Sequence, residues 1–150
     1  MKALLGIACL LALWACGGPG NSLEGSIGES FSLDFDTAQI RKQDLNLIIE
    51  YLKNQNGGTS KVAKVVVDTE NLVISGGGVI RGTVFTEHVT LSRVTNAGGD
   101  FPPTQSGSIR FEEWNFKDKG TVSGQFDILF NTGRTLHGNF ENKVQEVATN

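Results

Sequence analysis

The chain has 150 residues, a formal net charge of −3 and two cysteines, Cys9 and Cys16. That length suits one domain with a core of its own. Its Lys and Arg are dispersed among the acidic residues rather than clustered, which argues against nucleic acid as a partner and against adhesion to an anionic membrane face by charge alone.

In chain order, Lys2 opens an apolar run over 3–15 that stops at Cys16 and Gly17-Gly18-Pro19-Gly20. A positive start, a short apolar core and small Ala15 make a secretory leader. A permanent membrane helix needs about 20 apolar residues, and the glycines and Pro19 cut this one short. Leu13-Trp14-Ala15-Cys16 resembles the lipobox of bacterial lipoproteins, with Trp14 where that family usually has a small residue. The resemblance implies that residues 1–15 are removed, that the Cys16 sulfur receives a diacylglyceryl group and that the freed amine is acylated. Two or more acyl chains, each buried methylene contributing roughly 0.8 kcal/mol, would hold the chain to a bilayer. Gly17 in place of Asp resembles the sorting pattern for the outer membrane over the inner. The competing reading is an ordinary secretory leader cleaved after Ala15, which leaves a free thiol in an oxidising compartment. Either way Cys9 departs, so the core must hold the fold without an internal disulfide.

Residues 16–26 read as lipidated Cys16 plus a small, polar tether, and 27–144 as the β domain. Ile27, Phe31, Leu33 and Phe35 alternate with small and polar residues and predict a half-buried strand. Residues 37–54 admit two readings. A helix has Asp36 as N-cap, Gln39 three residues on, and Phe35 with Ile40 as the staple. Two strands turn at residues 41–44, with Leu45, Leu47, Ile49 and Tyr51 on one side and Asn46 and Glu50 on the other. The strand reading is preferred because a meander needs no long crossover.

Asn56-Gly57-Gly58 marks a turn, and the β-branched run at 61–67 a strand with much of both faces covered. Strands are also expected at 79–86, 88–94 and 109–116, with the longest loop at 96–107. Ile109 and Phe111 share one parity and Trp114 and Phe116 the other; one extra residue at Glu112-Glu113 would bring all four to one face, as a β-bulge does.

The C-terminal hairpin is the most explicit pattern. Residues 121–130 and 134–141 flank Asn131, Thr132 and Gly133, a three-residue loop with Gly at the left-handed position. Pairing Phe130 with Arg134 sets Ile128 against Leu136, Phe126 against Gly138 and Phe140 against Gly124, so that a ring covers each glycine. Val122, Phe126, Ile128, Leu136 and Phe140 then face the core. Ser123, Gln125, Asp127, His137, Asn139 and Glu141 face water. Residues 145–150 read as a tail.

Leu23-Glu24-Gly25-Ser26-Ile27, Ser32-Leu33-Asp34-Phe35-Asp36, Ile49-Glu50-Tyr51-Leu52 and 123–140 resemble a group of small β-rich lipoproteins of predatory soil bacteria. That resemblance implies an all-β fold and brings no catalytic or binding residues. The expected architecture is a single antiparallel β-sandwich or barrel of about seven to nine strands.

Candidate chemistry is sparse. Asp127 and His137 are expected as cross-strand neighbours, the arrangement by which an acid orients a base, but Ser123 is four residues from Asp127 and no Gly-x-Ser-x-Gly elbow exists. An exposed charge pair is the simpler reading. His88 and His137 are the only histidines and Glu87-His88 would point to opposite faces of a strand, so no metal or other cofactor is expected. Gly76-Gly77-Gly78 lacks the Lys-Ser/Thr of a phosphate loop. Asp34 and Asp36 share a face without an evident cleft, and Trp114 with Phe111 and Phe116 reads as core before sugar platform. The expected protein is therefore lipid-anchored in the bacterial envelope, non-enzymatic, and bound to the membrane through Cys16, with an envelope protein or polysaccharide as the candidate partner. The alternative is a small envelope hydrolase using Asp127 and His137.

Overall fold

A computed structural model describes residues 20–95 and 99–148. Cys16 and the leader lie outside the described residues. Among the described residues nine strands form one sheet curled into a half-barrel, in agreement with the expected all-β class. They are β1 (Ser22–Glu24), β2 (Thr37–Gln43), β3 (Asn46–Gln55), β4 (Gly58–Asp68), β5 (Val79–Arg81), β6 (Val89–Val94), β7 (Thr104–Trp114), β8 (Thr121–Phe130) and β9 (Thr135–Glu146). The spatial order is β5-β7-β8-β9-β2-β3-β4-β6, with β1 also on β9. All pairs are antiparallel except β2–β9, which run parallel through Ile40↔Val144 to Lys42↔Glu146.

The hairpin forms in the expected register: Ile128↔Leu136, Phe126↔Gly138 and Gly124↔Phe140. Gly133 has φ 79°. A Cβ on Gly138 would sit 2.3 Å from the Phe126 ring, and one on Gly124 2.8 Å from that of Phe140. Those glycines are the seats of the rings. The β7 bulge also occurs: Phe111 pairs with Gly124 and Glu113 with Ser123, which makes Glu112 the extra residue. Phe111 packs edge-on to Trp114 at 4.7 Å, and Trp114 lies 5.0 Å from Phe116. Phe111 is in the core and Trp114 and Phe116, partly buried, pack against it, which favours core over platform for this trio.

Residues 37–54 are two strands, β2 and β3, with Leu47, Ile49 and Tyr51 fully buried. Their turn falls at Asp44 and Leu45 rather than 41–44, with Asp44 left-handed at φ 53°, a conformation Asp tolerates better than most.

Three expectations are corrected. The alternating apolar residues from Ile27 to Phe35 make no strand: Ser26–Glu29 is a 3-10 turn and the following residues cross the barrel mouth as a loop. Ile27 is buried and Phe31, Leu33 and Phe35 pack against the core, so the alternation records burial without pairing. The strand expected at 79–86 stops at Arg81; Gly82 (φ 64°) opens a short helix, α1 (Thr83–His88), across the open side between β5 and β6. Its Phe85 is 1% exposed and sits where a Cβ on Gly107 would lie 2.4 Å from the ring. The loop expected at 96–107 ends sooner, because β7 starts at Thr104.

The boundaries also shift. The tether expected over 16–26 enters the fold by Asn21, whose side chain bonds the Glu141 backbone twice, at 3.2 and 3.0 Å. The tail expected from residue 145 continues β9 to Glu146, and Val147 N donates to Lys42 O.

Candidate functional site

Five strands line up one row of outward side chains by register alone: Glu24 opposite His137, His137 opposite Asp127, Asp127 opposite Ser108, and Ser108 opposite Arg81. His137 Nδ1 and Asp127 Oδ1 are 2.5 Å apart, so the expected pair forms. Its side chains remain 44% and 56% exposed. Two shallow grooves flank it. One, of about 220 Å³, is polar and lined by Ser22, Glu24, Gln125 and Asn139. The other, of about 350 Å³, is mostly apolar at its surface and lined by Ser106, Ser108 and Thr135 with Ile128 and Leu129.

This geometry does not assemble a nucleophile. In a serine triad the imidazole stands between acid and hydroxyl; here Asp127 stands between His137 and Ser108. Ser22 Oγ accepts from the Asn139 amide at 2.9 Å. Ser123, expected on the wet face, is only 9% exposed and accepts a bond from Glu113 N at 3.2 Å. Its cover comes from neighbours that local alternation ignores: bulged Glu112 and residues Gly20, Asn21 and Ser22 share its groove.

The remaining candidates have structural partners. His88 and Glu87 end helix α1 rather than sitting in a strand, and His88 Nδ1 lies 3.1 Å from the Asp68 carbonyl. Among the described residues no three His, Cys, Asp or Glu side chains gather where they would hold a metal ion. The Gly77 and Gly78 amides donate to Phe111 and Ser75 carbonyls, so these donors are used inside the fold. Asp34 accepts from the Ser32 hydroxyl at 3.3 Å. Asp36 receives Asn54 N–H at 2.8 Å and Lys53 Nζ at 3.0 Å, which together hold its carboxyl below the usual range. It ties the start of β2 to β3 and takes no part in a carboxylate pair.

Sequence reasoning missed the most unusual charge. Alternation places Glu50 only on the side opposite Leu47, Ile49 and Tyr51, yet its side chain is fully buried. Lys61 Nζ lies 2.8 Å from Oε1 and Arg41 Nη2 donates to Oε1 at 3.0 Å. The Gln39 amide donates to Oε2 at 2.6 Å, with Arg41 Nε 3.0 Å away. Burial pushes the carboxyl up, but Lys61, Gln39 and Arg41 more than offset it and the net direction is down. A bulge builds this cluster. Tyr51 pairs with Ala63 and Leu52 with Lys61, so Val62 is extra; without it Lys61 would point to the opposite face, as a one-residue slip requires.

At the mouth of the barrel Arg93 lies over Phe31 at 4.8 Å and Phe101 at 5.8 Å. Phe101 stacks on Phe130 at 5.7 Å. Asp100 Oδ1 accepts both Arg93 N and Phe101 N, which fixes the return of this loop.

No protein-family model, curated protein or solved structure matches the chain. Among the described residues no helix is long and apolar enough to cross a membrane.

Proposed function

We propose that this chain is a lipid-anchored protein of the bacterial cell envelope, held through Cys16 and placed at the outer rather than the inner membrane. Its β domain is a binding or structural module for an envelope protein or polysaccharide. The observation carrying the binding role is the exposed Asp127–His137 pair on an open wall, with a shallow polar groove on one side and a shallow, mostly apolar one on the other. Such a wall offers many donors and acceptors to a broad partner. A hydrolase would want its acid buried and an enclosed pocket at the base, and the pair has neither. The anchor rests on the lipobox-like residues 13–16 that close the apolar run.

Two measurements test the reading. Cells fed labelled palmitate should incorporate it into this chain and not into Cys16→Ser; an unlabelled native protein overturns the anchor. Residues 17–150 on a resin should retain an envelope component that Gln125→Arg releases. Retention of nothing, or hydrolysis of ester substrates that stops with His137→Ala, overturns the binding role.

A further inference from the structure

We infer that the half-barrel stands on the bilayer by one end, with Leu45 and Val73 entering the lipid interface; this rests on the reading that Cys16 is acylated. The direction of the chain supplies the first argument. β1 is antiparallel to β9, so the residues before Ser22 lead toward the C-terminal end of β9. The same end carries the 44–45 turn, the 69–78 segment and the 117–120 turn. They are joined there by Thr69 N to Leu45 O, Val147 N to Lys42 O and Lys119 N to Val144 O.

Length supplies the second. Gly20 lies against Glu141; a Cβ on it would be 2.8 Å from that of Glu141. From Gly20 back to Cys16 is four residues, a reach of about 14 Å when fully extended. β9 continues five residues beyond Glu141 to Glu146, about 17 Å along the strand and roughly 13 Å along the axis at usual barrel tilts. An acylated Cys16 therefore brings this end of the barrel down to the headgroups. Lying flat on the β8–β9–β1 wall would bring Glu24, Asp127 and Glu141 to the lipid and leave Leu45 and Val73 in water. At the proposed end the exposed Asp44, Glu70 and Asp118 share the headgroup level with Lys117 and Lys119.

Exposure supplies the third. Leu45 is 54% exposed and Val73 fully so. Val73 stands between Leu72 and Ile74, both packed against the core, in the segment that crosses this end from Thr69 to the Gly77–Phe111 bond. Two inward neighbours leave the middle side chain facing away from the barrel. Apolar groups there gain by leaving water, at the high local concentration that a short tether enforces.

The test uses the full chain, processed in cells and purified with its lipid. Leu45→Cys and Val73→Cys carry an environment-sensitive fluorophore, as do Asn56→Cys and Thr132→Cys in turns at the opposite end. In phosphatidylethanolamine–phosphatidylglycerol vesicles containing nitroxide-labelled lipid, emission from positions 45 and 73 should be quenched and shifted to the blue, while 56 and 132 stay unchanged. Protein that floats with the vesicles but shows four unquenched labels overturns the orientation alone. Labels at 45 and 73 that are shielded from iodide yet untouched by lipid nitroxides also overturn it, in favour of a protein partner or a second copy. An N-terminal peptide without acyl mass, in protein that does not float, overturns the anchoring and this inference together.

Discussion

Replacing Glu50 by Gln removes one charge while keeping the side-chain volume. Removing one member of a buried ion pair typically costs about 3–5 kcal/mol. Here the stranded cations, Arg41 and Lys61, keep 24% and 35% of their side-chain exposure and can turn to water, which reduces the expected loss to about 2–3 kcal/mol. For a domain of this size that is a Tm drop of roughly 6–12 °C. Urea unfolding of residues 17–150, followed by the fluorescence of Trp114 against Phe111 and Phe116, reads it directly. The pH dependence is a separate signature. Glu50 titrates below the ordinary glutamate value of 4.5 when folded. Its contribution is thus complete above about pH 4.5 and is lost as pH falls through the depressed folded value. The gap between wild type and Glu50→Gln should stay level from pH 7 to 5 and then narrow. A variant within 0.5 kcal/mol of wild type at pH 7, as an order-of-magnitude bound for ordinary surface changes, or a gap that widens in acid, would refute the account.

Further outcomes are expected at three sites. Tyr51→Phe deletes the buried hydroxyl that donates to Asn139 O at 2.7 Å, and should cost about 1–2 kcal/mol in urea unfolding. Burial also pushes the Tyr51 phenol far above 10. The chain's single tyrosine should therefore show tyrosinate absorbance only when the protein unfolds, with its contribution to stability present below pH 10 and lost above it. Gly138→Ala puts a methyl into the Phe126 ring, and should cost about 1–3 kcal/mol, with a smaller penalty when combined with Phe126→Leu. Asp127→Asn with His137→Ala removes an exposed pair and should change stability by no more than about 1 kcal/mol; a larger loss would mark that wall as structural.

Legibility in the sequence followed the range over which each feature is determined. The β8–β9 hairpin and the Glu112 bulge were readable because alternation, a turn glycine and ring-for-glycine matching all lie within a few residues. The Asp127–His137 contact followed from that register. The stretch at Ile27–Phe35 misled because the same alternation serves a loop whose apolar residues plug the barrel mouth. Residues 83–88 became helical because the chain must bridge the open side there while seating Phe85 over Gly107. Glu50 was hidden because its burial depends on Val62 bulging in the next strand, which swings Lys61 across. No local pattern around Glu50 encodes that event.

The double partnership of β9 makes it the keystone of the molecule. Along one edge it takes β8, and along the other it receives first β1 and then β2, more than a hundred residues away in the chain. Ends so distant must meet before the two halves of the sheet join, so loop closure is costly and folding is slow for the chain's length. Until β9 forms, the β2–β3–β4–β6 half has no strand along the free edge of β2. A sheet joined this way can form as two separate halves and closes only when β9 takes β2.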